Sequence, residues 1–169
     1  MPRTGVENVL VVPVPDGDYV DVSADLISGA YRRSLCSLFI VDIDPARDHD
    51  LLVNRLLEHL ARTTWRGADT RLLIGGSHSN VAIAEASQAA LGVGRGLGID
   101  TRWLSAHVGR GSHAKLVVAD DRVLLGSHNW SGGALGGRQR QDSLLIVSPD
   151  LAAYLSAVFD DQWHRAGAA

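Results

Sequence analysis

Apolar residues fall into short continuous runs and helical stripes that alternate for the first hundred residues. Residues 8–14 are an apolar, β-branched run ending at Pro15-Asp16-Gly17, which predicts a strand and then a turn. Val22, Leu26, Ala30 and Tyr31 recur near helical spacing and predict a helix over 20–34. Residues 35–43 are almost wholly apolar, as in a strand buried on both faces, and Asp44-Pro45 ends them. Asp48 or Asp50 is the expected cap of a helix running to Trp65, with Leu52, Leu56 and Leu60 on one face and Gly67 beyond its end. A buried strand over 70–74 closes at Gly75-Gly76. Ser79 or Asn80 then caps a helix through Ala90, and the glycine-rich stretch 92–98 reads as a loop before a strand at 99–104.

The rhythm then changes. Residues 114–119 and 122–126 are strands joined by a tight turn at Asp120-Asp121, 143–147 is another strand, and 149–164 is a closing helix. Its expected apolar stripe is Leu151, Tyr154, Leu155, Val158, Phe159 and Trp163. Alternating strands and helices followed by antiparallel strands predict one α/β domain over 1–169, an α-β-α sandwich on a mixed parallel and antiparallel sheet. The spacing Gly92-x-Gly94-x-Gly96 follows a helix rather than a strand and misses the dinucleotide fingerprint.

Bulk properties narrow the function. At 169 residues and 46 % hydrophobic, the chain can bury a real core. No apolar run approaches the ~18 residues that cross a bilayer, and the start lacks a secretory pattern, so a cytoplasmic protein without stable membrane association is expected. The single cysteine, Cys36, lies in an apolar run and is expected in the core. The net charge of −3 argues against a general polyanion binder. Between Arg102 and Arg140, however, six basic residues stand against two acidic ones. A basic zone on an acidic body suits an anionic substrate held at one place.

The chemistry concentrates in residues 112–130, S-H-A-K-L-V-V-A-D-D-R-V-L-L-G-S-H-N-W. His113 and Lys115 are two apart on a predicted strand, so both point to one face. Ser127 and Asn129 are two apart at the end of the next strand, and the turn at Asp120-Asp121 makes these strands neighbours. An imidazole, an ammonium, a hydroxyl and a carboxamide can therefore meet on one patch. Cationic and amide N–H donors hold non-bridging phosphate oxygens, and an imidazole can attack phosphorus or move a proton. Lys115 is the only lysine beside 15 arginines, which marks it as a compact point charge placed for a purpose.

His113-x-Lys115-x4-Asp120 followed by Gly126-Ser127-x-Asn129 resembles the signature of the phospholipase D superfamily, in particular its small homodimeric nucleases. Residues 66–74 look like the family's strand before the motif, and 159–163 look like its closing helix. The resemblance implies that His113 is a nucleophile forming a phosphohistidine, without metal or other cofactor. It implies that Lys115 and Asn129 bind phosphate, that Ser127 positions it or supports the histidine, and that Asp120 is a structural and electrostatic support. Family members have two motifs and this chain has one, so the resemblance implies a homodimer with its site on the two-fold axis. The family usually carries an acidic residue about eleven positions after the asparagine, bonded to the histidine. Position 140 is arginine, so the role passes to Asp142, with a loop expansion at Gly136-Gly137.

Plainer readings stand beside these. Asp121 is a turn residue. His107, His113 and Asp120 could form a metal site, though no regular ligand spacing supports one. His128 alternates away from Ser127 and Asn129 and is not catalytic. Trp130 either contacts substrate, by stacking on a base or lining the pocket, or packs beside the site. Arg138 and Arg140 contact substrate phosphates or are solvated loop charges. His78 and Asn80 border the cleft or cap a loop. Arg32-Arg33 is expected to be a basic helix end. The substrate classes left open are nucleic acid, lipid phosphodiesters, and none, the last being a nucleic-acid-binding subunit of a larger, possibly defence, system.

Overall fold

The computed structural model describes residues 9–43, 51–104 and 111–167. One seven-stranded sheet organises the chain, with strand order β1-β7-β6-β5-β2-β3-β4. β2 (Arg33–Leu38), β3 (Asp69–Ile74) and β4 (Asp100–Trp103) run parallel. β5 (Lys115–Ala119) lies antiparallel to β2, and β6 (Arg122–Gly126), β7 (Ser143–Val147) and β1 (Leu10–Val14) continue the antiparallel half. This is the mixed α/β sandwich the sequence predicts.

β5 is central and all five of its residues are buried, which explains why its sequence is apolar on both faces. Val117 and Ala119 face a core formed with α1 (Tyr19–Gly29), α2 (Leu51–Trp65), α3 (Val81–Gly96) and α4 (Gly132–Leu135). Leu116 and Val118 face the opposite core, closed by Phe159 and Trp163 of α5 (Pro149–Gly167). Cys36 is fully buried, and burial pushes its thiol up, so it is inert core.

Several boundaries differ from the sequence reading. The first helix stops at Gly29 rather than reaching residue 34, because the amide N–H groups of Tyr31, Arg32 and Arg33 donate to the Asp120 carboxylate, each at 3.0 Å. Arg32 therefore lies in the connection and Arg33 opens a strand, instead of the pair ending a helix. β2 ends at Leu38, and the chain beyond it meets the sheet again only where Val41 bridges Trp130. The glycine-rich stretch is largely helix: α3 continues to Gly96, and Gly94 is needed there because a Cβ would lie 2.4 Å from Thr101 Oγ1 of β4. A helix resting on a strand thus reads locally as a loop. Asn80 is the cap of α3, its side chain accepting from the Ile83 N–H at 3.2 Å. Tyr154 and Val158 are exposed, and Ala152 and Ser156 replace them on the buried face of α5. The expected caps Asp48 and Asp50 lie outside the described residues.

Candidate active site

The site is built where β2 runs out. Leu38 pairs with Lys115, the Phe39 N–H donates to the Ala114 carbonyl at 2.9 Å, and the next amide, Ile40, donates to Asn129 Oδ1 at 3.3 Å. The Ile40 carbonyl in turn accepts the Trp130 N–H at 3.0 Å. Three consecutive residues, the last of β2 and the two after it, thus register the His113–Lys115 segment and the Asn129 segment side by side. Anchoring Asn129 through its oxygen leaves its amide N–H groups to donate elsewhere.

His113 is exposed and Lys115 is buried at 8 % of its accessible surface. The Lys115 ammonium lies 3.0 Å from His113 Nδ1 and 3.2 Å from Nε2, and donates to the His113 carbonyl at 3.0 Å. A neutral imidazole has one unprotonated ring nitrogen, so at most one of these two ring contacts is a hydrogen bond. Desolvation lowers the Lys115 pKa from the usual lysine value. A bound phosphate anion would return the solvation that burial removes. Phe39 packs against His113 with ring centroids 4.3 Å apart and sets the ring's orientation from below. Neither Phe39 nor Ile40 carries a signal in the sequence; only the strand register selects them.

A cleft of about 620 Å³ opens beside His113 at the carboxyl ends of β2, β3 and β4, the usual ligand position in open α/β sheets. Phe39, Leu104, His78 and the glycine pair Gly75-Gly76 help to line it. Gly75 cannot carry a side chain, since a Cβ would lie 2.1 Å from the Ser112 carbonyl oxygen. His78 stacks on Trp103 at 3.9 Å and 10°, with Nε2 3.3 Å from the Leu104 carbonyl, and so does border the cleft.

Other expected residues fall elsewhere. Asp120 sits just past the far end of β5, about 16 Å along the chain from Lys115 at ~3.3 Å per residue. It has φ +52°, which aspartate tolerates in a turn. Burial raises its pKa, but three backbone donors and Arg32 outweigh this and the net shift is downward. It pins the α1–β2 connection and touches neither His113 nor Lys115. His113 and Asp120 are therefore not brought together as metal ligands, and His107 lies outside the described residues. Among the described residues no three metal-binding side chains cluster.

Ser127 is spent on the backbone: its hydroxyl accepts from the Asp142 N–H at 3.1 Å and lies 3.4 Å from the Asp142 carbonyl. Asp142 is thereby held next to the motif, but its carboxylate makes no hydrogen bond to His113 among the described residues. Its charge acts on His128 instead. The expected orienting contact is absent within this chain, because β7 begins under His128 rather than under His113. Trp130 is fully buried, its indole N–H donating to the Tyr19 hydroxyl at 3.3 Å, so no base can stack on it. Of the two readings for Trp130, packing is the one realised. Arg138 and Arg140 are both exposed, with no ion-pair partner among the described residues.

Fold and cluster together define an α/β phosphodiesterase. The family model described as cardiolipin synthase, PLD-like domain, matches residues 34–163, and the chain belongs to that phospholipase D-like family. Among solved structures it resembles Nuc, a phospholipase D family member from Salmonella typhimurium, with TM-score 0.72, 22 % identity, and 94 % of this chain and 95 % of that chain covered. It also resembles NucT from Helicobacter pylori, with TM-score 0.65, 12 % identity, and 94 % and 98 % covered. Phosphatidylserine synthase from Haemophilus influenzae Rd KW20 aligns with TM-score 0.67 and 14 % identity over 89 % of this chain but only 36 % of its own. At these identities the likeness is one of fold. No curated protein sequence matches the chain. No described helix is long and apolar enough to cross a membrane.

Proposed function

We propose that this protein is a metal-independent nuclease that cleaves nucleic-acid phosphodiester bonds through a phosphohistidine at His113, in a site completed by a second copy of the chain. The observation that carries the reading is the exposed imidazole of His113 with the buried Lys115 ammonium 3.0 Å from its Nδ1 and 3.2 Å from its Nε2. In this reading a ring nitrogen attacks phosphorus and the P–O bond to the leaving group breaks. The leaving oxygen takes a proton from His113 of the partner subunit. That second imidazole then removes a proton from water, which attacks phosphorus and breaks the P–N bond, releasing the monophosphate and free His113. Lys115 and the Asn129 amide stabilise the charge on the non-bridging oxygens. With a single lysine in these 169 residues, the second histidine–lysine pair in this reading is supplied by another copy. The chain spans nearly the whole length of Nuc, which suits a compact one-motif unit. Exposed Arg138 and Arg140 supply positive charge that a polynucleotide can use.

A lipid phosphodiester is the second reading, favoured by the apolar part of the cleft wall at Phe39 and Leu104. The deciding experiment offers a labelled oligonucleotide and phosphatidylcholine vesicles to the protein in EDTA. Oligonucleotide cleavage that persists in EDTA and vanishes in His113→Ala is expected. Release of phosphatidic acid alone transfers the assignment to lipid. Oligonucleotide binding without turnover would make it a binding subunit. Light scattering should give twice the chain mass, and an active monomer would overturn the shared site.

A further inference from the structure

His128, set aside by the alternation of side chains, is buried with a polar partner on each ring nitrogen. It is 1 % exposed, with Nε2 3.0 Å from Asp16 Oδ1 and Nδ1 2.9 Å from Ser143 Oγ, and its ring stacks on Tyr19 at 3.9 Å and 10°. Since Nε2 faces a carboxylate it carries the proton, and Nδ1 then accepts from the Ser143 hydroxyl. Desolvation lowers the His128 pKa against the opposing pull of Asp16 and Asp142, which suits this neutral tautomer.

Aspartate, histidine and serine thus stand in the order of a hydrolase triad. The serine cannot act as one. It is 4 % exposed, and it packs so tightly on Gly126 that a Cβ there would lie 1.9 Å from its Oγ. No acyl or phosphoryl group can approach. The contact instead explains why the motif requires Gly126: a larger residue would expel the Ser143 hydroxyl from His128.

The arrangement has a different consequence. His128 and Trp130 point the same way, and both end on the segment 16–19: His128 on Asp16 and Tyr19, Trp130 on the Tyr19 hydroxyl. Burial pushes the Tyr19 phenol up to about 12, so it stays neutral and can accept the indole N–H. Asn129, between these two anchors, projects to the other side and reaches Ile40. Asp16 also accepts the Gln141 N–H on both oxygens, at 3.1 and 3.0 Å, which ties down the segment carrying Arg138 and Arg140. One half-buried carboxylate therefore fastens the phosphate-binding turn and the basic loop from behind. It lies before Ser34, where the match to the family model begins.

We propose that Asp16, acting through His128, is a positioning residue that holds the Asn129 carboxamide in place for the transition state. The inference rests on the phosphodiesterase reading. A displacement of ~1 Å at a catalytic donor can cost about 100-fold, so Asp16→Asn lowers kcat at least ~10-fold while KM changes less.

The test compares Asp16→Asn, His128→Gln and His128→Asn with Thr63→Ala, which removes a buried hydrogen bond to the Ile27 carbonyl elsewhere in the core. Turnover of bis(p-nitrophenyl) phosphate and melting temperature are measured for each. Glutamine can place an N–H near the former Nε2 and keep the Asp16 bond, whereas asparagine reaches only the Nδ1 position. The expected result is a kcat loss in Asp16→Asn, partial rescue in His128→Gln over His128→Asn, and unchanged kcat in Thr63→Ala despite a lower melting temperature. Equal kcat in Asp16→Asn and wild type, or a loss matched by Thr63→Ala, would overturn the inference. Wild-type protein inert toward any phosphodiester would instead sink the phosphodiesterase reading. The positioning role is then read from the Asn129 side-chain amide resonances in the presence of inorganic phosphate. They should move in Asp16→Asn and stay in Thr63→Ala, and no movement in Asp16→Asn refutes it.

Discussion

The two ends of the β5–β6 hairpin hold motif residues of opposite character. At the turn, the Asp120 carboxylate receives three backbone N–H groups, with Arg32 Nε a further 3.8 Å away. At the open end, a desolvated ammonium leans on an exposed imidazole, and Asn129 is anchored by its oxygen alone. One end spends its polar groups on the fold, while the other keeps donors in reserve. The lesson is that membership of a sequence signature does not assign a role. Asp120 and Lys115 stand in the same six-residue motif, yet only Lys115 is next to His113.

Substitution can break or sharpen this contrast. The largest expected effect is on activity: Lys115→Met lowers kcat/KM about 100- to 1000-fold, in line with loss of a preorganised charge donor. Its melting temperature should stay level or rise, because a desolvated cation is removed. A melting temperature that falls by many degrees would place Lys115 with the fold instead. The pH profile follows from the same group. The Lys115 pKa is lowered, so on raising the pH the ammonium is lost below the ordinary 10.5, and the alkaline limb of kcat/KM should descend there. A limb at or above that value would contradict the desolvated position.

Asp120→Ala should do the reverse of Lys115→Met. Removing hydrogen bonds to a charged group costs about 2 kcal/mol, or some 4–8 °C for a chain of this size, with kcat per folded molecule within about twofold of wild type. Because the folded-state pKa of Asp120 is lowered, its contribution is present above the ordinary 3.8 and disappears as pH falls through the folded value. Asp120→Ala and wild type should therefore converge in stability in strong acid, as urea melts at stepped pH will show. The smallest effects belong to Arg138→Ala and Arg140→Ala. Both side chains are exposed, so stability should move less than ~0.5 kcal/mol. If they touch nucleic-acid phosphates, each should reduce the salt slope of binding by about one. Unchanged slopes would make them solvated loop charges.

Much of this was written in local pattern. Leu116, Val117 and Val118 announce a strand buried on both faces, and the Asp120-Asp121 turn brings Lys115 and Asn129 to the same end of a hairpin. The misreadings share a cause. The helix expected to reach residue 34 ends early because its next amides are claimed by a carboxylate nearly 90 positions away. Gly92, Gly94 and Gly96 read as a loop although Gly94 lets α3 settle on Thr101. Trp130 could face a base or the core until Tyr19 is seen to accept its N–H. Asp142 is the nearest acid to the expected position, two residues further along the chain, but presents only its backbone to the motif.

Taken alone, the sequence determined which chemistry the protein can attempt, since residue identity and two-residue spacing decide what one strand face offers. The tertiary structure decided which residues join that cluster: Phe39 beside His113, Ile40 at the Asn129 oxygen, Asp16 and His128 behind the carboxamide, Asp120 and Trp130 in the scaffold. The physical reason is that hydrogen-bond partners and burial arise from register between distant segments. Those long-range pairings leave no periodic mark in the local order of residues.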